Sequence, residues 1–435
     1  MKKKVIINTL GCKVNQYESA AFLCAFEDSG CAAAKAGEEA DIVVINTCTV
    51  TANAGAESRK TVRRLMRRHP QAKVVITGCY AQMAANELAG MVDSPVCIVG
   101  NGNKHLLVEA ALEEKPSDLT MLMGKILKQD TVSKLPMKRF GNRTRAYLRV
   151  QDGCNNFCTY CIVPYTRGPS RSLALKDILE QAQRFADAGH KEMVITGIHV
   201  GMYGRDLQAP MDITDLMLAL CKNHPDIRFR LSSIEPQEIT EKLLAAMGSC
   251  TNFMPHFHIP LQSGDDTILS RMRRGYDRET FRKIIQRCMQ TFPDAAVGID
   301  ILTGFPGEGE EEFNNSKQLL EEIGATYFHV LPYSKRPGTP AASFPDQVPK
   351  EISTKRVAIL RELGNQKQLE FYTRHLTTER PVLVEQKRNN EKLLSGFTDN
   401  YIPVVFKGDD TLMGQIVSIK LQAIQNSAVL GKLVQ

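Results

Sequence analysis

Short runs of β-branched and aliphatic residues alternate with helix-like segments through the first hundred residues of this 435-residue chain. The strand-like runs lie at residues 4–8, 41–46, 73–77 and 96–99. Such alternation predicts a parallel sheet covered by helices on both faces, a doubly wound α/β domain. In these sheets ligands bind beyond the carboxyl ends of the strands. We therefore expect functional groups in the loops that follow the strands.

A second α/β region begins near Thr144 and extends to about residue 370. Its strand-like runs, each followed by a helical pattern, lie at residues 147–151, 192–196, 228–232, 256–260, 296–302 and 327–331. Six strands predict an open, partial (β/α)6 barrel rather than a closed barrel of eight. The remaining residues form short strand-like runs separated by Asp, Asn and Gly turns, which predict a small antiparallel β-barrel.

These patterns predict domains at residues 1–115, 144–370 and 371–435, joined by a basic linker at 116–143. Between residues 121 and 149 eight Lys or Arg face one acid, Asp130, and the local charge of +7 equals that of the whole chain. One helix-like segment also carries two rows of cations: Arg59, Arg63 and Arg67, and Lys60, Arg64 and Arg68. A basic face of this kind is either a solvated surface or a surface that contacts phosphates.

Composition excludes several classes of protein. A hydrophobic fraction of 43% with 24% charged residues is not that of a disordered or fibrous chain. No apolar run approaches the roughly 20 residues of a membrane-spanning helix. The apolar run after Lys4 ends at Asn8, too early for a secretory signal. We expect a cytoplasmic protein with no membrane partner.

The strongest motif is a cluster of three cysteines, Cys154, Cys158 and Cys161, after the first strand of the second region. Disulfides are rare in the cytoplasm, so several of the 12 cysteines are expected to ligate metal. Three thiolates at this spacing can hold an iron-sulfur cluster and leave one iron without a protein ligand. Zinc is disfavoured because no second pair of Cys or His residues follows at zinc-ligand spacing.

Three further cysteines each follow a strand of the first region. Cys12, Cys48 and Cys79 occupy equivalent positions, and Gly precedes two of them. A parallel sheet would bring all three to one edge. The alternative is that each is a small buried apolar side chain.

The spacing of Cys154, Cys158 and Cys161, with the aromatic Tyr160 before the last of them, resembles the radical S-adenosylmethionine (SAM) superfamily. Four segments are similar to the methylthiotransferases of that superfamily: residues 8–19 (NTLGCKVNQYES), 46–50 (NTCTV), 77–79 (TGC) and 161–168 (CIVPYTRG). The resemblance implies a cluster domain, a radical SAM domain and a C-terminal TRAM domain. It also implies that each cysteine triad holds a 4Fe-4S cluster with one open iron, so all six cysteines are expected to be metal ligands and catalytic.

The resemblance also implies the reaction. Reductive cleavage of SAM at the Cys154, Cys158 and Cys161 cluster would yield a radical that removes an aromatic hydrogen. Sulfur on the other cluster, methylated by a second SAM, would replace that hydrogen. The cofactor supplies this step because no side-chain base can deprotonate such a carbon. The electron donor and the sulfur donor stay unidentified.

Several polar residues at strand ends of the second region are candidates for binding SAM: Tyr160, Thr196, Ser233, Glu235, Gln262 and Arg274. Thr196 stands where many radical SAM proteins carry a Gly-Gly-Glu run, from which this sequence departs. Ser233 could instead cap a helix, and Gln262 could only satisfy backbone groups. Arg274, with Arg271 and Arg273, could equally bind an RNA phosphate or lie on a solvated face.

Residues 11–19 most closely resemble the branch that modifies N6-threonylcarbamoyladenosine in tRNA. The resemblance implies methylthiolation at C2 of that nucleoside, beside the anticodon, and an anticodon stem-loop of tRNA as partner rather than DNA. Two alternatives stay open: an enzyme of the isopentenyladenosine branch, and a non-catalytic iron-sulfur protein that binds RNA.

Overall fold

The N-terminal domain is a parallel sheet between two layers of helices. The computed structural model describes residues 2–91, 96–113, 119–141, 143–388 and 392–434. Within them, the sheet has the strand order β2-β1-β3-β4-β5-β6. Its strands are β1 (Lys4–Thr9), β2 (Ala32–Ala33), β3 (Ile42–Thr47), β4 (Lys73–Gly78), β5 (Val96–Val99) and β6 (Leu119–Leu122). Every neighbouring pair is parallel, as the alternation predicts.

The helices of this domain are α1 (Lys13–Asp28), α2 (Ala52–Arg68), α3 (Cys79–Met83), α4 (Ala85–Ala89) and α5 (Leu107–Leu112). The amphipathic α2 buries Val62 and Leu65, and it is capped by Thr51, whose hydroxyl accepts a hydrogen bond from the amide of Ala54. Its basic face is exposed, as the two rows of cations predict.

The sheet continues into the segment predicted as a linker. β6 pairs with β5 as an edge strand, so the predicted domain boundary at residue 115 lies too early for the sheet. Leu119 and Met121 of β6 are exposed, and the strand therefore lacks the continuous apolar run that marks β3 and β4. Residues 114–118, which precede it, lie outside the described part of the chain.

The central domain is the predicted partial barrel. Its strands are β7 (Arg145–Arg149), β8 (Gln151–Asp152), β9 (Arg171–Ser172), β10 (Glu192–Thr196), β11 (Arg228–Leu231), β12 (His256–Gln262), β13 (Ala296–Thr303) and β14 (Tyr327–Pro332). Two parallel sheets, β11-β10-β7 and β12-β13-β14, are joined by the bridges Phe229–Phe253 and Ser233–His258. The barrel is therefore open between β7 and β14, and β8 and β9 form a small separate ribbon.

The helices of the central domain cover the outside of the barrel. They are α6 (Val163–Arg167), α7 (Leu175–Asp187), α8 (Ile213–Asn223), α9 (Glu241–Ser249), α10 (Asp266–Arg271), α11 (Arg278–Thr291), α12 (Glu310–Glu322) and α13 (Lys350–Arg374). No described helix combines the length and the apolar character needed to cross a bilayer.

The N-terminal domain closes the opening of the barrel. On one side α1 packs against β7, and the Arg149 guanidinium lies 5.0 Å from the centre of the Tyr17 ring. On the other side Arg336, in the loop after β14, donates a hydrogen bond of 2.5 Å to the Thr49 hydroxyl. The loop that carries Cys48 thus faces the barrel opening.

The C-terminal domain is a small closed barrel with the strand order β15-β16-β17-β19-β18. Its strands are β15 (Glu379–Arg388), β16 (Leu393–Thr398), β17 (Pro403–Lys407), β18 (Ile416–Gln425) and β19 (Ala428–Leu433). All pairs are antiparallel except β17–β19. The barrel packs beneath the amino ends of the central strands, where Arg230 donates to the carbonyl of Asp399.

Candidate active site

The loop between β8 and α6 carries Cys154, Cys158 and Cys161. Cys154 Sγ lies 3.4 Å from His199 Nδ1, and Cys158 Sγ accepts a 3.4 Å hydrogen bond from Arg274. Burial, together with the charges of the other two cysteines, raises the pKa of the Cys161 thiol to about 12. The three sulfurs therefore form one group at the carboxyl end of the barrel.

The loops after β1, β3 and β4 bring Cys12, Cys48 and Cys79 together. A Cβ atom on Gly11, whose φ is +97°, would lie 2.9 Å from Cys48 Sγ, so only glycine lets these loops approach this closely. Burial, together with the neighbouring Cys79 and Cys12, raises the pKa of the Cys48 thiol to about 11. The clustering contradicts the interpretation of these cysteines as isolated core residues.

Helix α6 connects the two triads. It begins two residues after Cys161 and ends at Arg167, whose Nε donates a 3.4 Å hydrogen bond to Cys79 Sγ. Helix α6 also packs against α3, which begins at Cys79. A single helical turn therefore lies between Cys161, the last cysteine of the barrel triad, and Arg167, which contacts Cys79 of the N-terminal triad.

Arg167 belongs to a buried polar network behind the N-terminal triad. Its Nη1 donates to Glu18 Oε1 at 2.6 Å and to Asp152 Oδ1 at 3.2 Å, and Lys104 pairs with the other oxygen of Glu18. Burial would raise the pKa of Glu18, but the cations of Arg167 and Lys104 hold it well below its usual range. The sequence patterns do not predict this network, although Glu18 and Arg167 lie in the motifs that carry the resemblance.

Arg274 and Glu235, both predicted to bind SAM, form an ion pair next to the barrel triad. Burial raises the pKa of the Glu235 carboxyl, an effect that the Arg274 cation opposes. Arg274 also donates to the hydroxyl of Tyr276, which bridges two carbonyls at the end of β12. These contacts favour a role for Arg274 in the site over a solvated helix face.

Thr196 is buried at the end of β10, where its carbonyl accepts a hydrogen bond from Val150. After it, the amides of Ile198 and His199 both donate to Gln151 Oε1. His199 lies between Cys154 and Glu238, whose Oε1 is 2.9 Å from its Nε2. The segment that departs from the superfamily pattern therefore still lies against the barrel triad.

Ser233 and Gln262 occupy neighbouring strand ends. Ser233 does not cap the following α9, because Thr240 does so. Gln262 has a φ of +65° at a bulge in β12, and its side chain has no hydrogen-bond partner among the described residues. Tyr160 lies on the other side, with its ring edge-on to Phe305 at a centroid distance of 6.5 Å. Ser233 and Gln262 thus lie at the carboxyl ends of the strands, and Tyr160 lies within the cysteine loop.

A second polar group lies lower in the barrel and was not predicted. His258 Nε2 and His329 Nδ1 both lie against one oxygen of Asp300, at 2.7 and 3.0 Å. Two histidines and a carboxylate can ligate a metal ion. Here both imidazole rings can donate a hydrogen bond to the same oxygen of Asp300. Hydrogen bonding therefore accounts for the arrangement of these three side chains without a metal ion.

Arginine and aromatic side chains line the junction with the C-terminal barrel. The Arg145 guanidinium lies 4.8 Å from the centre of the Phe397 ring and 5.3 Å from that of Tyr401. A cleft of about 520 Å³ beside it is lined by Arg143 and Tyr147. The sequence pattern predicts the strands at this junction. It does not predict that these arginine and aromatic side chains contact one another, because they come together only in the tertiary fold.

Both cysteine triads fit iron-sulfur clusters. Cys48 and Cys161 are weak acids that stay protonated near neutral pH unless a cation compensates the thiolate. Metal ligation requires deprotonated sulfur and supplies that cation. All of the described cysteines are free thiols, and none of them forms a disulfide.

Three family profiles match the chain. The Radical SAM superfamily matches residues 148–320, the Uncharacterized protein family UPF0004 matches residues 4–100, and the TRAM domain matches residues 375–434. Together they cover the three structural units described above.

The curated relatives match over nearly their full lengths. The threonylcarbamoyladenosine tRNA methylthiotransferase MtaB of Bacillus subtilis (strain 168) is 37% identical over 96% of this chain and 93% of its own. MtaB of Aquifex aeolicus (strain VF5) is 36% identical, over 93% and 97%. The tRNA-2-methylthio-N(6)-dimethylallyladenosine synthase of Alkaliphilus oremlandii (strain OhILAs) is 30% identical, over 100% and 93%.

Solved structures show the same fold at low sequence identity. The radical SAM methyltransferase TsrM from Kitasatospora setae, solved with cobalamin and a [4Fe-4S] cluster, covers 79% of this chain and 77% of its own with a TM-score of 0.56 and 16% identity. The radical enzyme OxsB covers 86% and 58% with a TM-score of 0.52 and 12% identity. With its two cysteine triads and its near-complete match to the curated relatives, the chain belongs to the family of radical SAM tRNA methylthiotransferases.

Proposed function

We propose that this protein inserts a methylthio group at C2 of N6-threonylcarbamoyladenosine beside the anticodon of tRNA. The observation that carries the proposal is the pair of cysteine triads connected by α6, with Arg167 in contact with Cys79. The MtaB relatives, at 36–37% identity, support the threonylcarbamoyl substrate over the isopentenyl one.

The protein uses two 4Fe-4S clusters and SAM. We assign one cluster to Cys12, Cys48 and Cys79 and the other to Cys154, Cys158 and Cys161. When bound, these groups supply the radical that removes the hydrogen at C2 and the sulfur and methyl group that replace it.

The side chains of this protein set the electrostatics around the sulfurs. Arg167 donates a hydrogen bond to Cys79 Sγ and Arg274 donates one to Cys158 Sγ. Burial raises the pKa of the Cys158 thiol, and the Arg274 cation opposes that effect. Arg274 is itself held by Glu235. We assign Thr196, Ser233, Glu235 and Gln262 to the binding of SAM because they lie at or just after the carboxyl ends of barrel strands, and Tyr160 because it lies within the cysteine loop.

The N-terminal domain covers the opening of the barrel. The contacts of α1 with β7 and of Arg336 with Thr49 lie on the two sides of that opening. A site that is shielded from solvent protects a radical from side reactions. The N-terminal domain also holds the two triads on the same side of the barrel.

Two surfaces fit the tRNA. The basic face of α2 presents Lys60, Arg63, Arg64 and Arg67 to solvent, and cations on one face attract the phosphate backbone. At the junction with the C-terminal barrel, Tyr147 and Phe397 lie beside Arg143 and Arg145. Aromatic rings next to guanidinium groups are typical of sites where unpaired bases stack.

Mass spectrometry of tRNA nucleosides tests the proposal. A strain that lacks the gene should lose the methylthio derivative of threonylcarbamoyladenosine alone, and the wild-type gene should restore it. Loss of the isopentenyl derivative would identify the other branch of the family. Full retention of both derivatives, with no release of 5'-deoxyadenosine by the reduced protein, would support a non-catalytic protein.

A further inference from the structure

Lys13 lies where the N-terminal triad meets the interior of the barrel. It follows Cys12 directly as the first residue of α1, the helix that packs against β7 at the barrel opening. Its side chain is half-buried and interacts electrostatically with Tyr401, Arg145, Arg230 and Asp300. Because α1 packs against β7, Lys13 lies at the junction between the N-terminal domain and the open side of the barrel.

The basic neighbours of Lys13 already have acidic partners. Arg145 Nε lies 2.5 Å from Glu385 Oε1, and Arg230 Nε lies 2.8 Å from Glu192 Oε1. These carboxylates compensate the two arginines and leave none for the lysine.

The acid nearest in the barrel interior is also engaged. One oxygen of Asp300 lies against both His258 and His329, at 2.7 and 3.0 Å. Within the described ranges, the Lys13 ammonium makes no hydrogen bond and no ion pair. A half-buried cation without a counter-ion, at the open side of the barrel, is suited to bind an anionic group of a ligand.

We propose that the Lys13 ammonium binds the carboxylate of the threonylcarbamoyl group and thereby selects threonylcarbamoyladenosine over isopentenyladenosine. This inference rests on the proposed function and adds to it the residue that determines specificity. Lys13 is a binding residue in this proposal and takes no part in the transfer of sulfur.

The geometry of the substrate agrees with this position. The N6 substituent and C2 lie on either side of N1 of the adenine ring, so the threonyl carboxylate is near the carbon that receives the sulfur. Lys13 is adjacent in the chain to Cys12, which we assign to the cluster that provides the sulfur. In the protein, the Lys13 cation is therefore next to the source of the sulfur. In the substrate, the carboxylate is likewise next to C2.

Charge explains how the site would discriminate. An isopentenyl group is apolar and would leave the ammonium unpaired among other cations. Sites built around a buried polar group reject analogues that lack its partner more strongly than apolar pockets reject an extra group. The lysine thus both stabilises the correct nucleoside and disfavours the wrong one.

The test compares wild-type protein, Lys13→Gln and Lys13→Arg, each full length and reconstituted with both clusters. The substrates are anticodon stem-loops of one sequence that carry threonylcarbamoyladenosine, isopentenyladenosine or plain adenosine. We expect Lys13→Gln to raise KM for the threonylcarbamoyl RNA roughly ten- to a hundredfold, the size expected for a lost charged hydrogen bond, with little change in kcat. Lys13→Arg should recover most of the loss. The exposed Lys176→Gln on α7 is the matched control.

A second arm changes the substrate instead of the protein. The methyl ester of the threonyl carboxylate is neutral, and wild-type protein should bind RNA that carries the ester as weakly as Lys13→Gln binds the acid. This arm keeps the inference testable even if substitution at residue 13 disturbs the cluster at Cys12. Iron content per chain reports such a disturbance.

The outcomes separate the inference from the proposed function. If wild-type protein methylthiolates only the isopentenyl RNA, the proposed function fails. If it methylthiolates the threonylcarbamoyl RNA but accepts acid and ester equally well, only the inference fails. An equal loss of affinity for all three RNAs in Lys13→Gln would assign Lys13 to a phosphate, and a loss of SAM affinity would assign it to the cofactor. Either result would overturn the inference.

Discussion

At the scale of single residues, the site depends on charges buried where the sequence alone shows no partner. Glu18, Lys104 and Arg167 are separated by 86 and 149 positions along the chain and still form one network. Local periodicity cannot reveal such pairs, because they form only when α1, α6 and the segment Asn101–Leu106 are brought together by the tertiary fold. Both cysteine triads could be proposed from sequence: Cys12, Cys48 and Cys79 because each follows a strand of the N-terminal sheet, and Cys154, Cys158 and Cys161 because of their close spacing.

Removing the Arg167 cation should destabilise the protein strongly. Arg167→Met leaves Glu18 and Asp152 buried without their shared partner, and losing one member of a buried ion pair costs about 3–5 kcal/mol. Denaturant unfolding of the cluster-free protein measures the change. Lys138→Met, which breaks an exposed pair with Asp28, should leave the midpoint near that of wild type. Equal effects of the two substitutions would contradict the importance of burial.

Gly11 should be required for the N-terminal cluster. Gly11→Ala places a Cβ 2.9 Å from Cys48 Sγ at a φ of +97°, so we expect about half of the iron per chain to be lost while the barrel cluster stays. Gly37→Ala is the matched control, since its φ is +88° but a Cβ there has open space. Iron and sulfide analysis decides between them, and full iron content in Gly11→Ala would refute the packing argument.

At the scale of secondary structure, strands with continuous apolar runs were predictable and edge strands were not. β3 and β10 are buried along their whole length and lie within one residue of their predicted bounds. β6 was missed because its sequence is short and carries exposed positions, so pairing with a neighbour decides its conformation. The parallel pairing of β17 with β19 is likewise set by closure of the barrel.

Helix α2 should contribute to tRNA affinity through charge alone. Replacing Arg63, Arg64 and Arg67 with Gln should reduce the slope of log affinity against log salt by roughly 0.7–0.9 for each phosphate that the helix no longer neutralises. Equilibrium binding of tRNA over a range of salt concentrations gives the slope. The same change at the exposed lysines of α7, α11 and α12, Lys176, Lys283 and Lys317, should leave it unaltered. A parallel decrease in both variants would point to net charge rather than to this face.

The junction between the two barrels should weaken in acid. Burial would raise the pKa of Glu192, but Arg230 and Arg145 lower it below the ordinary 4.5. A carboxyl whose pKa is lower in the folded state stabilises the fold above that ordinary value, and the stabilisation is lost as the pH falls towards the lowered pKa. In Glu192→Gln the free energy of unfolding should therefore depend less on pH below about 4.5. An unchanged acid dependence would show that other groups control it.

At the scale of the whole molecule, three domains with independent sequence patterns pack together, and the N-terminal domain covers the opening of the central barrel. The order of the domains and the type of each fold were predictable from periodicity. How the N-terminal domain covers the opening between β7 and β14 was not, because the contacts involve single side chains such as Arg336 and Tyr17.

Loss of the hydrogen bond between Arg336 and Thr49 should uncouple the two halves of the reaction. In Arg336→Ala we expect SAM cleavage to continue while less of the 5'-deoxyadenosine is matched by methylthiolated RNA, because the loop that carries Cys48 is no longer tied to the barrel. Product and 5'-deoxyadenosine measured in the same assay give the ratio. Lys335→Ala is the matched control, because the neighbouring Lys335 does not make the hydrogen bond to Thr49, and it should keep the wild-type ratio. A normal ratio in Arg336→Ala would show that α1 alone maintains the closure.

The single helical turn of α6 restricts how this enzyme can move and diverge. Each residue inserted into a helix rotates the rest of that helix by about 100° and shifts it by about 1.5 Å, so a change of length there would turn Arg167 away from its partners. Insertions and deletions should therefore be absent from this segment in functioning descendants of the gene. The contacts of α6 with α3 and of Arg167 with Glu18 therefore connect the central domain to the N-terminal domain next to both cysteine triads.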